Sequence, residues 1–156
     1  MGKCVAACAL VLLGSPASAA CVPGELDLRW SGGAAQFSVD IADTQALRET
    51  GLMNRAKLAK SAGMLFIYAA PEHAFYWMKN TLIPLDIVFA DSAGRVTRVA
   101  SNAAPGDLTP IDGGAGVAYV LEINGGLAGR MGIAPGAEPR SAAMAQDGLV
   151  WPCAAN

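Results

Sequence analysis

Between Phe75 and Asp86 the chain sets Lys79, Asn80, Thr81 and Asp86 among aromatic and aliphatic neighbours, with Trp77 at the head of the run and Ile83-Pro84-Leu85 just before the acid. Polar groups in such surroundings cost about 1–3 kcal/mol each when left unsatisfied. They must therefore pair with one another or face a ligand. In the first arrangement Lys79 pairs with Asp86 and Asn80 braces a turn. In the second Trp77 walls a pocket while Lys79, Asn80 and Asp86 orient a bound molecule, the usual anatomy of a small-ligand site. The two are compatible.

Other chemistry is weaker. Asp86 and Glu122 both fall in strand-like runs and could converge as a carboxylate pair, which would suit an envelope hydrolase or lyase with Lys79 stabilising charge. No G-x-S-x-G stretch supports a serine nucleophile, and the single histidine, His73, has no obvious acidic partner nearby in sequence. His73 with Met53, Met64 and Met78 could suit copper, but their spacing is that of no known ligand set, so no metal is expected. Asn124-Gly125-Gly126-Leu127-Ala128-Gly129 imitates a dinucleotide loop, yet Asn124 stands where the first glycine belongs and no βαβ pattern surrounds it. No cofactor is expected.

These residues need a scaffold, and the hydrophobic pattern supplies one. Residues 25–30 and 35–41 alternate through Leu26, Leu28 and Trp30, then Phe37, Val39 and Ile41, with Ser31-Gly32-Gly33 between them. That is a β-hairpin. Asp43 or Thr44 can cap a short helix reaching Met53, with Ala46, Leu47 and Thr50 inward. After a polar connector over 57–62, strands are expected at 63–68 and 74–78 about a Pro71-Glu72-His73 turn, then at 85–90 and 95–100 about Asp91-Ser92-Ala93-Gly94. Residues 102–116, rich in Pro, Gly and Asp, read as a long surface loop, 117–123 as the last clear strand and 126–131 as a second short helix. The tail from Ser141 is alanine-rich and reads as loose up to Trp151 and Cys153. The expected fold is mostly β (α+β): a barrel-like or two-layer antiparallel sheet with two short helices.

The first nineteen residues read as an export signal, with Lys3 ahead of an apolar run over 5–13, helix-breaking Gly14 and Pro16, and Ala17-Ser18-Ala19 at the cleavage site. The run is too short to span a bilayer, and no later stretch replaces it. Ser18 stands where a lipoprotein signal carries Leu, which argues against a lipid on Cys21. Cleavage removes Cys4 and Cys8 and leaves Cys21 and Cys153, expected to pair in a periplasmic or secreted protein. Residues 20–140 then form one β-rich domain, to which 141–156 is tied by the disulfide. Loss of Lys3 takes the net charge from −2 to −3, and Lys and Arg cluster nowhere, so nucleic acid is not an expected partner.

A family resemblance adds to this. Gly51-Leu52-Met53-x-Arg55, Gly63-Met64-Leu65-Phe66, Trp77-Met78-Lys79-Asn80-Thr81, Ile83-Pro84-Leu85-Asp86-Ile87 and Phe89, extended by Asn102-Ala103 and Tyr119-Val120-Leu121-Glu122, resemble domain-of-unknown-function family 192 (DUF192) over roughly residues 40–136. The resemblance implies a compact, β-rich and often exported protein, and carries over no catalytic residue. It adds Arg55 to Trp77, Lys79, Asn80 and Asp86 as candidate ligand-binding residues. The expected function is a non-enzymatic binding or accessory module for a small molecule, saccharide or peptide of the envelope. An envelope hydrolase or lyase and a purely structural envelope protein are the alternatives.

Overall fold

Alternation in the first hairpin sets the curl of the sheet. Leu26 and Leu28 of β1 (Glu25–Trp30) and Phe37 and Val39 of β2 (Gly33–Ala42) are buried, while Arg29, Gln36, Ser38 and Asp40 face solvent. The computed structural model describes residues 20–154, so the expected leader over 1–19 lies outside the described residues. Ser31-Gly32 joins the two strands with Trp30 opposite Gly33. A short helix, α1 (Gln45–Thr50), then carries the chain to β3 (Ala62–Tyr76), which lies parallel to β2.

The remaining strands are β4 (Leu85–Asp91), β5 (Val96–Ala103), β6 (Ile111–Asn124) and β7 (Glu138–Arg140), with α2 (Leu127–Met131) between the last two. All seven strands form one sheet in the order β5-β4-β6-β3-β2-β1-β7, and every pair other than β2–β3 is antiparallel. The sheet is a curled half-barrel. Its two margins meet beside β7, where the Val96 amide donates to Ala137 O and the Gly136 amide to Val96 O, both at 2.8 Å.

Both faces of the sheet are covered, which explains why β4 reads as an unbroken apolar run rather than an alternating one. Val88 and Ala90 pack with Leu26, Leu28, Phe37, Leu65, Leu121 and Ile123. Leu85, Ile87 and Phe89 pack on the other side with Leu52, Met64, Phe66, Met78 and Val120. Each such large side chain contributes roughly 1.5–3 kcal/mol on burial. Gly113 of β6 is the point of tightest approach, since a Cβ there would fall 2.4 Å from the Phe89 ring.

The mostly β, barrel-like fold with two short helices is as expected, but several local features differ. Pro71-Glu72-His73 is not a hairpin turn. β3 runs on through it, and both halves pair with β6. Hydrogen bonding to β6 is interrupted between Ile67 and Glu72, which gives the proline a bulge to occupy. The long loop expected over 102–116 shrinks because β6 begins at Ile111. Gly113, Gly114 and Gly116 lie inside β6, where the register against β3 is irregular and glycine is tolerated.

α1 ends at Thr50, not Met53, and buries none of its residues; Ala46, Leu47 and Thr50 are all exposed. The tail from Ser141 is not loose. Met144 and Leu149 are buried in the cluster that holds Leu26, Leu28 and Val88, the Val150 amide donates to Ala93 O at 2.9 Å, and the Trp151 ring lies 4.4 and 4.0 Å from the guanidinium groups of Arg29 and Arg140. The expected Cys21–Cys153 disulfide is present, with the two Cα atoms 5.4 Å apart.

Candidate ligand-binding cleft

α1 is held at its ends rather than along its length. Thr44 Oγ1 accepts from the Leu47 amide at 3.3 Å as the N-cap, and the chain leaves the helix through Gly51 at φ 48°. The half-buried Arg48 is its anchor: the guanidinium donates to Asp43 O at 2.8 Å and to Ile67 O at 2.9 Å, and lies 5.1 Å from the centre of the Tyr68 ring. No apolar side chain fills the space beneath the helix. A cleft of about 580 Å³ opens there, bordered by Arg48, Glu49 and Thr50 above and by β3 and β6 below.

The bulge in β3 shapes the opposite wall. It sets Tyr68, inside the interrupted stretch, and Tyr76, beyond it, close enough for their hydroxyls to hydrogen-bond at 3.1 Å. Tyr76 is fixed in turn by edge-on contacts with Phe66 and Phe89, at centroid distances of 5.4 and 5.5 Å. Burial pushes both phenol pKa values up, so the hydroxyls keep their protons. Glu72, Phe75 and Trp77 continue the wall toward solvent.

Glu122 borders the same cleft from β6. Only 5% of its surface is exposed, and no group among the described residues donates to its carboxyl. Desolvation alone pushes its pKa from 4.5 up to about 8, so at neutral pH it is mostly the neutral acid. The sign for stability follows. The native state keeps a proton that the unfolded chain loses above about 4.5, so this contribution is full in acid and is lost as pH rises toward about 8. Glu122→Gln should match the parent near pH 5 and exceed it by about 2–4 kcal/mol near pH 9. Thermal melts of both proteins across that range are the check, and a constant difference would contradict the assignment.

The candidates of the 75–86 segment do not gather at one place. Trp77 borders the cleft with half its surface exposed, and the Lys79 ammonium sits 5.0 Å from its ring centre on the solvent side. Asn80 is exposed and marks a turn at φ 54°, where its carbonyl accepts from the Asn54 amide at 2.8 Å. Arg55 lies elsewhere, paired with Asp40 at 2.7 Å beside a separate shallow depression.

Asp86 is fully buried and pairs with backbone, not with Lys79. Its Oδ1 accepts from the Asn102 and Gly126 amides at 2.6 and 2.8 Å, and its Oδ2 from the Ala128 amide at 2.6 Å. Nor does it meet Glu122. Asp86 lies opposite Ile123 and Glu122 opposite Ile87, which puts the two carboxylates on opposite faces of the sheet. His73 does have an acid, Asp112, at 2.7 Å across the β3–β6 ladder, while its ring stacks on Phe75 at a centroid distance of 4.5 Å.

Tyr68, Tyr76, Arg48 and Glu72 are the cleft residues that the sequence reading did not single out. A signal for them was present in Tyr68-Ala69-Ala70-Pro71-Glu72, where alternation fails inside a strand and proline marks a bulge. Among the described residues no cluster of three or more His, Cys, Asp or Glu side chains could hold a metal ion, and no helix is long and apolar enough to cross a membrane.

Comparison with known proteins agrees with this architecture. The DUF192 family, described as "Uncharacterized ACR", matches residues 28–140, and the chain belongs to it. The match takes in the end of β1, all of β2 and β7, beyond the expected 40–136. The chain is similar to a protein of unknown function from Novosphingobium aromaticivorans, with 42% identity over 74% of this chain and 82% of that one and a TM-score of 0.72. It is also similar to a proposed transcription regulator from Sinorhizobium meliloti, with 35% identity over 81% and 96% of the two chains and a TM-score of 0.71. No curated protein matches the chain.

Proposed function

We propose that this protein is an exported, non-catalytic binding module that holds a small molecule, saccharide or peptide in the cleft beneath α1. The observation that carries the reading is Glu122, a buried carboxyl with no protein donor at the edge of an open cavity of about 580 Å³. Burial of the rest of the side chain desolvates this carboxyl, whose oxygens open on the cleft, and a ligand that donates to it there recovers part of that cost. The volume lies within the usual range for small-ligand sites, and aromatic walls with a few polar groups are their usual lining. A two-carboxylate hydrolase finds no support, because Asp86 is sealed on the other face.

Export rests on the residue pattern of 1–19 and on the Cys21–Cys153 pairing, which suits an oxidising compartment. The chain expressed in full should be recovered from the periplasm or medium, beginning near residue 20, as mass spectrometry of the fractions would show.

For the site, a thermal-shift screen against envelope saccharides, peptides and small metabolites should find ligands whose affinity falls roughly tenfold in Trp77→Ala. Hits that bind the folded variant and the parent equally would place the site elsewhere.

A further inference from the structure

The cleft carries a charge imbalance that narrows its ligand. Glu49 and Glu72 border it, together with Glu122 in its mostly neutral form, against one lining cation, Arg48. Arg48 is already committed: its guanidinium donates to the carbonyls of Asp43 and Ile67 and rests on Tyr68. Glu49 accepts only from Gln45 of its own helix, at 2.8 Å. The walls otherwise offer aromatic faces, those of Phe66, Tyr68, Phe75, Tyr76 and Trp77. Trp77 already holds a cation of the protein itself, the Lys79 ammonium, over its ring.

Each feature favours the same chemistry. An anion entering the cleft meets acidic groups and finds Arg48 engaged. A neutral ligand leaves the acidic potential unanswered. A positively charged nitrogen on an apolar body gains from the aromatic faces and from the carboxylates together. At the cleft edge, Glu122 supplies a carboxyl that opens on the cleft and that no group among the described residues donates to.

We infer that the cleft binds a low-molecular-weight organic amine in its ammonium form, with the nitrogen donating to Glu122 and the apolar part lying between the Tyr68–Tyr76 pair and Trp77. This deepens the binding-module reading and rests on it.

The proton balance is definite. The amine arrives already protonated. Glu122, neutral beforehand, gives its proton to solvent as the ammonium docks, so one proton leaves for each ligand bound while the pH is below about 8. The groups facing Glu122 do not compete for that step. Tyr68 and Tyr76 from β3 stay protonated, Glu49 and Arg48 of α1 and Glu72 of the bulge border the same cleft, and the partner of Glu122 on β4 is Ile87. Affinity for an amine therefore rises by up to about tenfold per pH unit between about pH 6 and 8, then levels off.

The test uses 2-phenylethylamine and its neutral isostere 2-phenylethanol on the folded chain, followed by amide NMR and by calorimetry in buffers of low and high ionisation enthalpy. The amine should shift amides of α1, the β3 bulge and Glu122. It should bind at least about tenfold more tightly than the alcohol near pH 8 and release close to one proton near pH 6. Glu122→Gln, which keeps the shape and the neutral state, should lose both the preference for the amine and the pH slope. Alcohol and amine binding equally in the cleft of the parent would overturn the amine assignment and leave the cleft reading standing. Perturbation of the cleft amides by neither compound would also overturn it, and the Trp77→Ala screen would then judge the cleft alone.

Discussion

Asp86→Ala is expected to lower the stability of the protein by about 3–5 kcal/mol, the largest single-residue effect in the fold. The carboxylate is fully buried and gathers three amides from two separate segments: Asn102 at the end of β5, and Gly126 and Ala128 at the start of α2. Removing it leaves the buried Ala128 amide and the part-buried Asn102 and Gly126 amides without their acceptor and frees both segments at once. Asn102 has φ 53° there, a conformation that its hydrogen bond to Asp86 helps to hold. Asp86→Asn should cost almost as much, because an amide nitrogen would be turned toward a donor. Urea unfolding monitored by tryptophan fluorescence gives the number. A loss below about 1 kcal/mol would mean that solvent reaches these amides more easily than the burial implies.

Opening the disulfide is the second large effect. Cys21 and Cys153 enclose 132 residues of sequence separation, and the chain-entropy relation gives about 4–5 kcal/mol for so long a loop, an upper figure because the reduced unfolded chain is not a random coil. The double variant Cys21→Ala, Cys153→Ala should therefore melt well below the parent, and the parent with reductant should melt at the same temperature as the variant. Packing of Met144, Leu149 and Trp151 still holds the tail in place, so the variant is expected to fold. Coincident melting of variant and oxidised parent would show that this packing alone accounts for the attachment.

How much of this was legible in the residues depends on range. The first hairpin, the β4–β5 pair and the disulfide rest on local alternation, turn residues and a count of cysteines, and all three emerge as expected. The parallel β2–β3 pair and the closure of the sheet beside β7 depend on contacts far apart in sequence, which no local pattern encodes. β3 was misread because Pro71 looks like a turn; only the partner strand reveals a bulge instead.

The site was split the same way. Trp77 was legible as an aromatic in a polar context, and it does border the cleft. Asp86 was legible as a buried acid, but its partners are main-chain amides, which every residue offers and which spacing therefore cannot single out. Lys79 and Asn80 are exposed because they fall in the turn between β3 and β4 and not on a strand face. Arg48 and the two tyrosines form a wall only after the bulge shortens the distance between residues eight apart.

The first hairpin has its outer partner and its cover at the far end of the polypeptide. β7 completes β1, Ser141 Oγ donates to Glu25 O at 2.7 Å, and Met144 and Leu149 join the buried cluster that holds Leu26 and Leu28. During synthesis Ser141 emerges 116 residues after Glu25, so the first hairpin cannot reach its final state until β7 and the segment after it have been made. That delay is the condition a polypeptide must satisfy if it is to be threaded through a translocation channel before it locks.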